Sequence, residues 1–176
     1  MTASRRTLTV RELEALLVRA VLVTACASAV LCLVGSHLIW NWTPSLPLGL
    51  YWLSSGATRA SRGDLVAFPV PGDVRALVRE RRYLPPEALL VKPIVATSTD
   101  RVCTEDGTLT VNGAAFGPVA TEDTRGRPLP HPDVCGALPE GMVFVASRMP
   151  TSFDSRSFGP VPLGALRGKV TPLWTF

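Results

Sequence analysis

The chain has 176 residues, 47% of them hydrophobic, with 16 prolines, 14 glycines and a net charge of +4. That length suits one domain with its own core, and the arginines after residue 41 are too scattered, apart from a short helix-like cluster at Arg79, Arg81 and Arg82, to form a nucleic-acid interface. Its two histidines, His37 inside an apolar run and His131 beside prolines, leave no source for a Ser-His or Cys-His pair or a His-rich metal site, and nothing implies a cofactor.

At the N-terminus, Thr9 and Glu12 have capping-box spacing, and Val10, Leu13, Leu16 and Leu17 follow at helical spacing, so a helix starts before the apolar run. From Ala20 to Trp40 there is no Lys, Arg, Asp or Glu. At about 1.5 Å per residue such a helix crosses a hydrocarbon core about 30 Å thick. The run is longer than the roughly 7 to 15 residues of a cleaved signal peptide's apolar region, which favours an uncleaved anchor. Arg5, Arg6, Arg11 and Arg19 precede it and no basic residue directly follows, so the N-terminus is expected in the cytoplasm. The chain then divides into a cytoplasmic segment 1–19, a transmembrane helix 20–40 and an outward-facing domain 41–176.

Beyond residue 41, short apolar and β-branched runs alternate with turn residues. GLYWL (49–53), DLVAFPV (64–70), LLVKPIVA (89–96), MVFVAS (142–147) and GKVTPLW (168–174) have strand length. A short helix is expected from Asp73 to Arg82, its arginines on a solvated face, with Val74, Leu77 and Val78 turned the other way. RVCTEDGTLTVNG (101–113) places Asp106-Gly107 between alternating segments, a hairpin signal. Gly113 to Gly141, rich in Pro and Gly, reads as a long connection or accessory flap outside the core sheet. The whole is a mainly β domain on a single N-terminal anchor. Cys26 and Cys32 fall in the anchor, whereas Cys103 and Cys135 fall in the outward domain, where an oxidising compartment favours a disulfide.

Three stretches offer chemistry. In NWTPSLPLGLYW (41–52), Pro44 and Pro47 hold Ser45 on stiff, extended backbone. On the residues alone this is equally a juxtamembrane turn with interfacial Trp40, Trp42 and Trp52, and that plainer reading has the better odds. Lys92, one of only two lysines among 18 basic residues, is embedded in ALLVKPIVA. If buried, it loses charge readily and becomes a base; if its stem alone is packed, it snorkels to solvent. Lys169 reads as an ordinary exposed charge. In TSFDSRSFGPVP (151–162), Ser152, Asp154, Ser155 and Arg156 crowd together, either as a group that orients a base or with Asp154 and Arg156 as a surface ion pair of little worth.

TPSLPLGLYW, the lysine of LLVKPIVA, the RVC hairpin, the VCGAL segment and FDSRSFGPV stand in the order of the S26 signal peptidases, and from Asn41 to Trp174 the chain resembles their TraF-type branch, which matures pilin subunits for conjugative transfer. The resemblance implies a signal-peptidase-like β catalytic domain, with Ser45 as the acylated nucleophile and Lys92 as general base. The Thr43 hydroxyl would join the Ser45 backbone N–H in an oxyanion hole, Ser152 would hydrogen-bond the base, and Asp154 and Arg156 would support it. Cys103 and Cys135 match a cysteine pair of that branch. It also implies a bacterial inner-membrane protein with a periplasmic catalytic domain, a pilin or signal-peptide-bearing precursor as substrate, and contacts with a conjugative transfer apparatus. A general leader peptidase and a catalytically silent membrane component are the competing readings. One departure is Thr99 in TSTDRVC, where relatives carry Gly, which puts the turn before the hairpin in question.

Overall fold

A computed structural model describes residues 9–56, 59–85 and 87–176. Arg5 and Arg6, which carry part of the orientation argument, lie outside the described residues. The chain forms two units, Met1–Leu38 and Ile39–Phe176.

The first unit is a single helix, α1 (Val10–Gly35). Its start is the expected capping box: the Thr9 hydroxyl accepts from the Glu12 N–H, and the Glu12 carboxylate accepts from the Thr9 N–H at 2.8 Å. The helix has 26 residues and a stretch of mean hydropathy 2.4, and none of its residues is buried, so it is long and apolar enough to cross a bilayer. The expected 20–40 span is only partly helical. Gly35 is the last helical residue, Ser36 caps the end by donating from its N–H to the Cys32 carbonyl, and Leu38–Asn41 leaves the helix as strand β1. Hydropathy marks where a chain is apolar, but it does not mark where the backbone changes conformation.

The second unit is built on two antiparallel β-sheets. The larger uses β1 (Leu38–Asn41), β2 (Gly49–Ser54), β3 (Leu65–Pro69), β4 (Leu89–Ala96), β9 (Met142–Val145), β10 (Val161–Pro162) and β11 (Gly168–Thr175), in the spatial order β1-β2-β11-β3-β4-β9-β10. Helix α2 (Gly72–Glu80) joins β3 to β4 and buries Val74 and Val78, the face expected. The two-residue period of β3 and β4 sorts their side chains. Val66, Phe68, Leu90 and Ile94 enter one cluster with Val143 and Val145, while Ala67 and Val91 enter another with Tyr51 and Val170. With both faces of the central strands covered, LLVKPIVA is buried throughout except at the half-buried Leu89 and Pro93. Strand β11 is inserted between β2 and β3, and the fit is close: a Cβ on Gly168 would meet the Ser54 carbonyl oxygen at 2.0 Å.

The smaller sheet has the order β7-β6-β5-β8, from β5 (Arg101–Cys103), β6 (Thr108–Val111), β7 (Ala114–Pro118) and β8 (Cys135–Ala137). The β5–β6 hairpin turns through Asp106 and Gly107, with φ of 52° and 68°. Cys103 and Cys135 face each other across β5 and β8 and form a disulfide. The 113–141 segment, expected to be a long connection or accessory flap outside the core sheet, contributes β7 and β8 to the smaller sheet. It stays outside the larger sheet, but its alternation is too short and too interrupted by Pro and Gly to announce strands. The turn before the hairpin does not need glycine: the Asp100 N–H donates to the Thr97 carbonyl, and the Asp100 carboxylate accepts from the Thr97 N–H at 2.9 Å and from Asn112 Nδ2 at 2.7 Å.

Candidate active site

The site forms where the β1–β2 connection passes over β4 and the segment after β9. Asn41, at the end of β1, organises that connection. Its Oδ1 accepts from the Thr43 N–H at 3.2 Å and the Thr43 hydroxyl at 3.0 Å. Its Nδ2 donates to the carbonyls of Thr43, Leu46 and Pro47 at 3.0, 3.2 and 3.0 Å. The Tyr51 hydroxyl donates to the same Pro47 carbonyl at 2.7 Å. One buried amide and two prolines therefore fix the loop that carries Ser45, which is half-buried and reachable from solvent. Asn41 was not singled out from the sequence. The available signal was an Asn two residues before a Thr-Pro, the spacing at which an Asn side chain bonds the backbone two residues on.

Lys92 does not snorkel. It lies in the middle of β4, opposite Val66 on β3, and is only 4% exposed. Its Nζ sits 2.6 Å from Ser45 Oγ and 2.9 Å from Ser152 Oγ. As an ammonium it donates to both oxygens; as a neutral amine it accepts the Ser45 proton and still donates to Ser152. Burial is the largest influence on its protonation and lowers the pKa; the negative charge of Asp154 raises it and the positive charge of Arg156 lowers it, leaving the amine at about 8 instead of 10.5. Thr43 Oγ1 is 3.3 Å from Ser45 Oγ.

Asp154 and Arg156 are no surface pair, being 0% and 2% exposed. Asp154 caps the short helix α3 (Ser155–Phe158), and its two carboxylate oxygens accept from Arg156 Nε at 2.9 Å and Nη2 at 2.8 Å. One of them also accepts from the Ser147 N–H at 3.1 Å. Arg156 uses its remaining donors on the carbonyls of Ser147, Met149 and Pro118. The Ser155 hydroxyl accepts from the Val145 N–H at 3.0 Å. This network fixes the 147–152 segment, and with it Ser152, against the end of β9. Ser147 carried no sequence signal because it acts through backbone groups that only the fold brings near; Ser155 stands in the crowded sequence cluster, but its bond to the Val145 N–H depends on the fold.

A cleft of about 480 Å³ opens at Ser45. It is mostly apolar, walled by Leu46, Leu48, Pro93, Met149 and Phe176, with Ser147 and Arg148 along the same rim. Away from it, Lys169 pairs with Asp64 at 2.7 Å and is not the free surface charge expected. Arg81 likewise leaves the solvated helix face expected of it, donating to the Pro128 carbonyl at 2.8 Å. In both cases the partner is distant in sequence. Cys103, Glu105 and Cys135 converge, but both thiols are committed to the disulfide.

A family model described as "Signal peptidase, peptidase S26" matches residues 10–174. A conjugal transfer protein TraF of Agrobacterium fabrum (strain C58) is 32% identical over 158 residues, covering 85% of this chain and 88% of that one. A plasmid transfer protein TraF of Escherichia coli is 30% identical over 147 residues, covering 77% and 82%. A signal peptidase I of Enterococcus faecalis superposes with a TM-score of 0.39 at 24% identity, over 64% of this chain and 97% of that one, a likeness too loose to add weight.

Proposed function

The chain belongs to the S26 signal peptidase family, and on that premise we propose that it is a membrane-anchored serine endopeptidase with a Ser45–Lys92 dyad, processing a pilin or another membrane-inserted precursor for conjugative transfer. The observation that carries this reading is the 2.6 Å contact between Ser45 Oγ and a Lys92 amine that burial has made easy to deprotonate. The neutral amine takes the hydroxyl proton as Ser45 Oγ attacks the scissile carbonyl. The oxyanion is met by the Ser45 backbone N–H and the Thr43 hydroxyl; a donor of this kind is worth about 3 kcal/mol of barrier. At rest the Thr43 proton is given to Asn41, so the hydroxyl must rotate toward the oxyanion as charge develops. Collapse forms the Ser45 ester, and the Lys92 ammonium returns its proton to the leaving amine. Water then resolves the ester, or the substrate's own N-terminal amine does so and closes a ring.

Conjugal transfer enters from the names of the TraF relatives. The bacterial inner membrane as location, with the N-terminus in the cytoplasm and the catalytic unit in the periplasm, is supported by α1, by Arg11 and Arg19 before its most apolar part, and by a disulfide of the kind oxidising compartments allow. A linked row of exposed aromatic rings also favours work at a lipid surface: Trp40 lies 5.6 Å from Trp42 and 6.2 Å from Trp174, which lies 5.2 Å from Phe176. A purely binding component would leave Lys92 exposed and charged, contrary to its burial.

The test is cleavage of a pilin precursor by detergent-solubilised protein, with products weighed by mass spectrometry. Ser45→Ala and Lys92→Arg are both expected to be inactive, since Arg cannot be deprotonated to serve as base. A wild-type product lighter than the hydrolysed fragment by one water identifies ring closure. Maturation by Ser45→Ala at the wild-type rate would overturn the proposal.

A further inference from the structure

Arg148 is the one charged side chain among the described residues that line the cleft at Ser45. An exposed arginine is ordinarily mobile and solvated, but this one is held. Its guanidinium lies 4.4 Å from the centre of the Phe116 ring, and Nη1 donates to the Phe116 carbonyl at 3.2 Å. Both partners are neutral, and among the described residues no carboxylate stands within ion-pair distance of it. A guanidinium has five N–H donors, so fixing it through one leaves a full positive charge and open donors on a residue that borders a mostly apolar cleft. Its neighbours Ser147 and Met149 are pinned by the buried Arg156 and Asp154, so the backbone bearing Arg148 is also fixed.

We propose that Arg148 is a specificity residue which selects precursors carrying an Asp or Glu side chain within a few residues of the scissile bond. The inference rests on the peptidase reading and deepens it by naming a chemical feature of the substrate. Because the pair forms on binding and persists through the reaction, its effect falls on KM more than on kcat.

The experiment uses full-length protein in detergent and a set of peptides spanning a candidate cleavage site, each with Glu, Gln or Lys at one position on either side of it. Wild type is expected to favour Glu over Lys at one position by about tenfold in kcat/KM, carried by KM. Arg148→Glu should reverse that order, Arg148→Ala should flatten it to within about twofold, and Arg148→Lys should keep its sign. Loss of preference in a misfolded variant cannot mimic a reversal. If Arg148→Glu keeps the wild-type ranking, or wild type ranks no position by charge, the proposal falls while the peptidase reading stands. If wild type cleaves nothing, the peptidase reading falls, and binding of the same fluorescent peptides to Ser45→Ala protein decides the proposal: a preference for Glu that Arg148→Glu reverses upholds it, and equal binding overturns it.

Discussion

An ammonium buried in a β-sheet loses far more hydration energy than a neutral amine does, and Lys92 is almost fully buried. The proposed mechanism requires the neutral form, so kcat/KM should rise with pH through an apparent pKa of about 8. A pH–rate profile flat from pH 6 to pH 9 would refute Lys92 as the base. The same displacement acts on stability. In the unfolded chain the lysine titrates near 10.5 and in the folded one near 8, so between these values the unfolded state binds more protons and stability increases with pH. Below pH 8 both states are protonated and the folded state carries the full penalty, on the order of 3 kcal/mol from the distance between about 8 and 10.5. Lys92→Met, which keeps the volume and removes the charge, is therefore expected to be inactive and yet to unfold at a higher temperature than wild type at pH 7. Equal or lower thermal stability would mean that the hydrogen bonds to Ser45 and Ser152 offset the desolvation.

Helix α3 is a single turn whose residues would not hold a helix alone, and it exists because Asp154 caps it while Arg156 ties it to three carbonyls from two other segments. Asp154→Asn leaves the Arg156 guanidinium buried without its counter-charge. It should destabilise the catalytic unit by about 3 to 5 kcal/mol, read as a shift in the denaturant midpoint. A shift below about 1 kcal/mol would place the pair's worth elsewhere. The β1–β2 connection has a comparable organiser in Asn41. Asn41→Ala frees the loop around Ser45, and misplacement of a nucleophile by about 1 Å costs on the order of a hundredfold in rate. The expected outcome is a fall of that size in kcat with the far-ultraviolet circular dichroism of the sheets retained; wild-type kcat would show that Pro44 and Pro47 suffice to hold the loop.

At the scale of the molecule, the proposed catalytic residues come from three places far apart in the chain: the β1–β2 connection, the centre of β4 and the loop before α3. The sheet order brings them together, since β4 is central and lies beside β9, whose far end leads into that loop. The smaller sheet packs on this core through Val102, Leu109, Val111 and Leu138 against Val95, Ala96, Phe144 and Ala146, and the Cys103–Cys135 crosslink within it closes a separation of 32 residues. For a loop of that size, loss of the crosslink is expected to lower stability by about 2 to 4 kcal/mol. Unfolding with and without a thiol reductant measures it, and an unchanged midpoint would mean that β-pairing alone fixes β8 on β5. Gly168 tests the larger sheet: the 2.0 Å approach of Ser54 leaves no room for a Cβ, so Gly168→Ala should disrupt the insertion of β11.

Much of this protein is legible in its order of residues. Periodicity and turn chemistry are local, and so the five main strands, α2, the hairpin at Asp106-Gly107 and the capped start of α1 could be read directly from the sequence. The motif order pointed to Ser45, Lys92, Ser152, Asp154 and Arg156 as one group; Lys92 contacts Ser45 and Ser152, and Asp154 and Arg156 form a buried pair of their own. What the sequence left open was burial at the candidate site and in the 113–141 segment. Whether Lys92 is a base or a snorkelling charge, whether Asp154 and Arg156 are a surface pair or a buried brace, and whether 113–141 is connection or sheet all depend on what covers them, and the covering residues lie tens of positions away. Asn41, Ser147 and Arg148 were missed for the same reason, because each takes its role from backbone or rings that only the tertiary structure sets beside it.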